Sequence, residues 1–127
     1  VEATQFCIGL ENKLGLLGAL CSTLRRDEVN VDALYISHDE DCCWVNLVAS
    51  PVPLANDVLV REGYNFFTEK VLVFRVEDEP GELERLSSKL AEAGININYI
   101  YGSCTSGSCT LVLNVDELER AAETVGA

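Results

Sequence analysis

Residues 72–97 read LVFRVEDEPGELERLSSKLAEAGINI. Leu72, Phe74 and Val76 recur every second residue, the period of a strand with one buried face. The acidic run Glu77-Asp78-Glu79 then gives way to Pro80-Gly81. Proline suits the first turn of a helix because its missing N–H is not needed there. Leu83, Leu86 and Leu90 follow at helical spacing and give that helix one apolar face. Gly94 ends it, since a left-handed closing residue costs glycine nothing. A second strand is expected from Ile95 to Ser103, with Asn96 at its start.

The same order occurs earlier in the chain. Shifting the sequence by 66 lays Phe6–Ala49 on Leu72–Val115 without a gap, and eleven of the 44 pairs are identical. Average residue usage gives roughly 3 by chance. Identities include Gly15/Gly81, Leu20/Leu86, Leu24/Leu90, Asn30/Asn96 and Cys43/Cys109. A duplication is the direct reading. Glu28 stands where the second copy has Gly94, so the first helix is expected to close with some backbone strain.

Each copy continues with a polar or glycine-bearing turn and a third strand, near Cys43–Ala49 and Cys109–Val115, forming a hairpin with the second. A short helix with Leu54, Val58 and Leu59 and a fourth strand at Tyr64–Thr68 complete the first copy. The second copy has the helix, with Leu118, Ala121, Ala122 and Val125, and no fourth strand after it. The fold class is therefore α+β. Two ferredoxin-like βαββαβ units stand in tandem, forming one extended antiparallel sheet with the helices on one face. The units are residues 1–68 and residues 69–127, the latter lacking its last strand. That lack predicts an edge strand at Lys70–Glu77, with Val71, Val73 and neighbouring groups partly uncovered, and hence a homo-oligomer.

The formal charge of -12, from 21 acids against 9 bases, opposes binding to nucleic acid or to anionic membranes. No apolar run approaches the roughly 20 residues that span a bilayer, and no secretory-type segment precedes the first strand. The expectation is a cytoplasmic protein with reduced thiols, despite six Cys.

The stretch from Val73 to Leu83, followed by Ala91-Glu92-Ala93-Gly94-Ile95-Asn96-Ile97, resembles an ACT domain. A weaker copy runs Leu10-Glu11-Asn12-Lys13-Leu14-Gly15-Leu16-Leu17 with Val29-Asn30-Val31. Leu14 stands where the family usually has proline. The resemblance implies a regulatory unit that binds a small effector, usually an amino acid, where two such units meet, and performs no chemistry of its own.

A glycine turn at a helix start offers backbone N–H groups to a carboxylate, and an Asn amide offers both a donor and an acceptor. Pairing of units through their second strands predicts one site from Asn12, Leu14, Gly15 and Leu16 with Asn96 and Ile97. The other combines Asp78, Pro80, Gly81 and Leu83 with Asn30 and Val31. Asp78 and Glu79 add negative charge where a carboxylate must dock, so the first site is preferred. The blander readings are a tight turn at each glycine and a local turn contact at each Asn.

His38 and Cys43 match Cys104 and Cys109 at the same offset, and these are metal-ligand types. Each hairpin alone supplies too few ligands for a closed site, so no metal is expected and no cofactor is implied. A disulfide between Cys104 and Cys109 across their hairpin would need oxidising conditions, and a reduced compartment argues against it. His38 stands in an acidic turn with no nucleophile beside a second base, so no enzyme activity is expected. The rival to an amino-acid-binding regulator is a pairing module that docks to an enzyme, or to itself, without a ligand.

Overall fold

The structure, a computed structural model, describes residues 1–11, 13–38 and 40–126. Its elements are β1 (Glu2–Glu11), α1 (Leu16–Arg26), β2 (Asn30–His38), β3 (Cys42–Ser50), α2 (Val52–Arg61), β4 (Asn65–Glu77), α3 (Glu82–Glu92), β5 (Ile97–Thr105), β6 (Ser108–Val115) and α4 (Leu118–Val125). The chain forms two compact units, one of Thr4–Glu69 and one running from Lys70 onward together with Val1–Ala3. β4 runs without a break across this division, so its first residues serve one unit and the rest the other. Each unit is ferredoxin-like.

In the Thr4–Glu69 unit the strand order is β2-β3-β1-β4. β3 is antiparallel to both neighbours, with Phe6 opposite Leu47, Ile8 opposite Val45 and Leu34 opposite Leu47. This register turns Phe6, Ile8, Val45, Leu47 and Ala49 to one face. Leu20 and Leu24 of α1 and Ala55, Val58 and Leu59 of α2 pack on that face, every one of them 1% exposed or less. Truncating such a leucine to alanine costs about 2–5 kcal/mol. Tilted rings at Phe6 and Phe66, with centroids 6.0 Å apart, extend the core to β4.

The second unit repeats this order with each strand replaced by its counterpart: β5-β6-β4, then the start of β1. Leu72, Leu86, Leu90, Ile95, Leu113, Val115 and Ala121 form its core. The edge expected to be uncovered at Lys70–Glu77 is covered at Val73. The Val1 backbone nitrogen donates to the Val73 carbonyl at 2.9 Å, and the Val73 N–H returns a bond to the Val1 carbonyl at 2.7 Å. Val71 is fully buried. Val1–Ala3 thus takes the fourth-strand place that no strand after α4 fills among the described residues. The physical reason is the unsatisfied backbone of β4, which any extended segment within reach will pair.

α1, α2 and α3 all end in one hydrogen-bond pattern. The N–H groups of Val29, Tyr64 and Ile95 reach back to the carbonyls of Leu24, Leu59 and Leu90, and those of Glu28, Gly63 and Gly94 to Arg25, Val60 and Ala91. The pattern requires a left-handed residue just past the helix. Gly63 and Gly94 supply it freely, at φ 75° and 73°, and Glu28 adopts it at φ 60°. The strain expected at Glu28 is present.

Candidate functional site

Both glycine turns are built alike. Gly15 and Gly81 sit at φ 85° and 91° and start α1 and α3, and their carbonyls accept the first helical bonds from Ala19 at 3.0 Å and Arg85 at 2.9 Å. Among the described residues neither helix start has a side-chain cap. Among the described residues, a Cβ at either glycine would meet nothing within 4 Å. Backbone conformation, and not crowding, is what excludes other residues there.

The two starts differ in charge. α1 has no acidic residue in its first turn, and the Lys13 ammonium lies 2.6 Å from Glu11. That hydrogen-bonded pairing lowers the Glu11 pKa and raises that of Lys13. α3 begins with Glu82 and Glu84, after Glu77, Asp78 and Glu79. Leu14 is fully exposed, whereas Leu16 is half-buried. Asn12 lies outside the described residues.

At the other end of each helix the asparagines also behave alike. The Asn30 amide donates to Asp32 Oδ1 at 2.6 Å, and the Asn96 amide to Asn98 Oδ1 at 3.0 Å. Asp32 and Asn98 occupy the residue at which β2 and β5 lose register with their partners. Each irregularity is therefore tied down by its own Asn, an arrangement in which the amide nitrogen is engaged and the amide carbonyl is directed elsewhere. Asn96 precedes β5 by one residue.

Two concavities mark the ends of α1. One, of about 200 Å³, is lined by Leu10, Glu11, Lys13, Leu16, Leu17, Ile36, His38 and Cys43. The other, of about 390 Å³, is lined by Cys21, Leu24, Arg25, Glu28, Val29, Asn30 and Val31. They share no residue. An eleven-residue helix spans roughly 16 Å, so within one unit the glycine turn and the asparagine lie too far apart to hold one small molecule. The same separation holds for Asp78, Pro80, Gly81 and Leu83 at the start of α3 against Asn96 and Ile97 beyond its end. Glu11, Lys13, His38 and Cys43 were not among the residues expected to line the glycine-turn end. The hairpin pairing of His38 with Cys43 brings them there, and the repeat offset was the signal that could have found them.

A family model described as an ACT domain pair matches residues 1–126. The chain belongs to that family. No curated protein matches its sequence. Among solved structures, this ACT domain pair is similar to a protein from Bacteroides thetaiotaomicron at a TM-score of 0.94, with 23% identity over 98% of this chain and 87% of that one. It is also similar to the regulatory subunit of aspartate kinase from Thermus thermophilus in its ligand-free form, at 0.71, with 14% identity over 98% and 91%. A third is aspartokinase III of E. coli in complex with aspartate and ADP, at 0.59, with 18% identity over 98% of this chain and 31% of that one. These likenesses are of fold.

The cysteines of the ACT domain pair require a correction. Cys104 and Cys109, expected as thiols, are joined by a disulfide. They are direct partners across β5 and β6, with Cα atoms 3.9 Å apart. Cys7, Cys21, Cys42 and Cys43 are thiols outside that disulfide. Burial raises the pKa of the Cys7 thiol, and a hydrogen bond from Gln5 partly opposes this. Among the described residues no helix is long and apolar enough to cross a membrane.

Proposed function

We propose that this ACT domain pair is a cytoplasmic, non-catalytic regulator that binds an amino acid. One observation carries the reading. α1 starts on a left-handed glycine with no side-chain cap among the described residues, has no acid in its first turn, and has Lys13 two residues before that glycine. Such a helix start attracts a carboxylate through its dipole and its N–H groups. α3 shares the backbone but carries Glu79 in place of Lys13, so the Gly15 turn is the stronger anion site.

The proposed pocket combines Asn12, Leu14, Gly15 and Leu16 with Asn96 and Ile97 from a paired unit. β2 and β5 hold the outer positions in their own units' sheets. Antiparallel pairing of β2 in one copy with β5 in a second sets the Gly15 turn of the first against Asn96 of the second. There the Asn96 carbonyl receives the ammonium, since its amide nitrogen is engaged with Asn98. The reciprocal pocket, with Asp78, Pro80, Gly81, Leu83, Asn30 and Val31, is the weaker one.

Those outer strands also support a second reading, a pairing module that glues the chain to a partner through β2 or β5 without a ligand. A thermal-shift screen against the twenty amino acids separates the two, because a ligand that binds only the folded state raises the midpoint by mass action. A rise with one or a few amino acids supports the regulator. A flat panel from a chain that sediments with itself supports the module.

A further inference from the structure

The β5–β6 hairpin places Cys104 and Cys109 opposite one another, and the turn between β4 and α3 brings a third donor to them. A carboxylate oxygen of Asp78 and the two sulfurs all lie within 4.8 Å of one another. Asp78 is held there by its backbone. Its N–H donates to the carbonyl of Gly107, in the turn between the two cysteines, at 3.0 Å. Arg75 ties the same hairpin to β4, donating from Nη2 to Ser108 Oγ at 2.7 Å. The three donors thus come from a hairpin and a turn that are bonded to each other.

Two thiolates and a carboxylate are a donor set for zinc and similar cations, which bind sulfur at about 2.3 Å and carboxylate oxygen at about 2.0–2.2 Å. Two such sulfurs at a tetrahedral angle stand roughly 3.8 Å apart, a separation that cross-strand cysteines reach by side-chain rotation once unbonded. Asp78 and Cys104 are exposed and Cys109 is buried, so an ion can enter from one side. Glu77 and Glu79 flank Asp78 in sequence, and the chain carries -12 overall, both of which favour a cation. The hairpin alone offers two ligands, and Asp78 arrives from a turn outside it. In the other unit His38 and Cys43 hold the equivalent cross-strand positions, but the residue matching Asp78 is Asn12, which is uncharged.

We propose that the second unit, when its disulfide is reduced, binds one thiophilic divalent cation through Asp78, Cys104 and Cys109, and that disulfide and metal are mutually exclusive states of this hairpin. A dithiol reductant delivers two electrons and two protons to the S–S bond. This leaves two thiols on the protein and a disulfide in the reductant. The cation then displaces both thiol protons to solvent as the two S–metal bonds form, with the Asp78 carboxylate as third ligand and one position left open.

The full chain, reduced with a phosphine and desalted without oxygen, is titrated with Zn²⁺ by calorimetry and with Co²⁺ by absorption, where thiolate-to-cobalt charge transfer reports sulfur ligation. One ion per chain should bind to the reduced protein and none to the oxidised protein. Cys104→Ser should abolish the charge-transfer band, Asp78→Asn should weaken binding at least roughly 10-fold, and Cys42→Ser with Cys43→Ser should retain it. Comparing the oxidised and reduced natural chain tests the proposal even where a substitution unfolds the protein. The proposal is overturned by the lack of a charge-transfer band in the reduced chain, by binding that survives oxidation, or by loss of the band with Cys42 and Cys43 in place of Cys104.

Discussion

Glu28 closes α1 in the same left-handed conformation in which Gly94 closes α3, at φ 60° against 73°. The duplication kept the hydrogen-bond pattern and changed the residue that must adopt the awkward backbone. An L-residue pays roughly 1–2 kcal/mol for that conformation, part of which glycine returns through greater freedom in the unfolded chain. Glu28→Gly should therefore stabilise the protein by about 0.5–1 kcal/mol, and Gly94→Ala should destabilise it by about 1 kcal/mol. A Cβ at Gly94 comes no nearer than 3.9 Å to a flexible arginine, so the second effect isolates the backbone. Urea unfolding midpoints of the two variants check both signs.

Gly15 and Gly102 are required for different reasons, and their alanine variants should differ. At Gly15 only the positive φ opposes a side chain, so Gly15→Ala should cost about 1 kcal/mol. At Gly102 an added Cβ would lie 2.2 Å from the Thr110 carbonyl oxygen and 2.9 Å from Leu111 Cδ2. β5 and β6 must shift to admit it, so Gly102→Ala should cost about 3 kcal/mol. Equal losses in the two variants would show that the Gly102 contact relaxes freely.

The proposed pocket makes a prediction about affinity that is separate from folding. A lost hydrogen bond to a charged group is worth about 1.5–3 kcal/mol, so Asn96→Ala should weaken binding of whichever amino acid the screen identifies by roughly 10- to 100-fold. Asn30→Ala should matter less for the site at Gly15. Lys13→Glu should also weaken binding, and by more at low salt than at high salt. Calorimetric titration measures all three, and unchanged affinity in every variant would remove the pocket from consideration.

The Cys7 thiol links stability to alkaline pH. Burial raises its pKa in the folded state above the ordinary thiol value, and nearby Glu69 adds to the rise. The folded protein therefore holds this proton where the unfolded chain releases it. That stabilisation is fully present below the unfolded thiol pKa and is lost as pH rises through the folded one. Stability should thus fall more steeply between neutral and alkaline pH in the natural protein than in Cys7→Ala, as read from urea midpoints across that range.

Much of the local structure could be read in advance because each signal depends on neighbours in the chain. The alternation at Leu72, Phe74 and Val76, the helical spacing at Leu83, Leu86 and Leu90 and the closure at Gly94 became β4, α3 and its left-handed end. The doubling of Gly15 with Gly81 and of Asn30 with Asn96 carried the same backbone into both units. The partners of Asn30 and Asn96 were less legible. A side chain two residues along takes each amide, and the register irregularity that permits this depends on how β2 meets β3 and β5 meets β6.

By itself the sequence determined the duplicated βαβ plan, the glycine-started helices, the strained closure at Glu28 and the family, since each rests on spacing and residue type within a few turns of chain. Only the tertiary structure decided that Val1 covers Val73, that Cys104 and Cys109 meet as a disulfide, and that Asp78 stands beside them. Those contacts join segments distant in sequence or set by strand register. Periodicity specifies which face of a strand is buried, but not which backbone lies along its edge or which side chain arrives from a neighbouring turn.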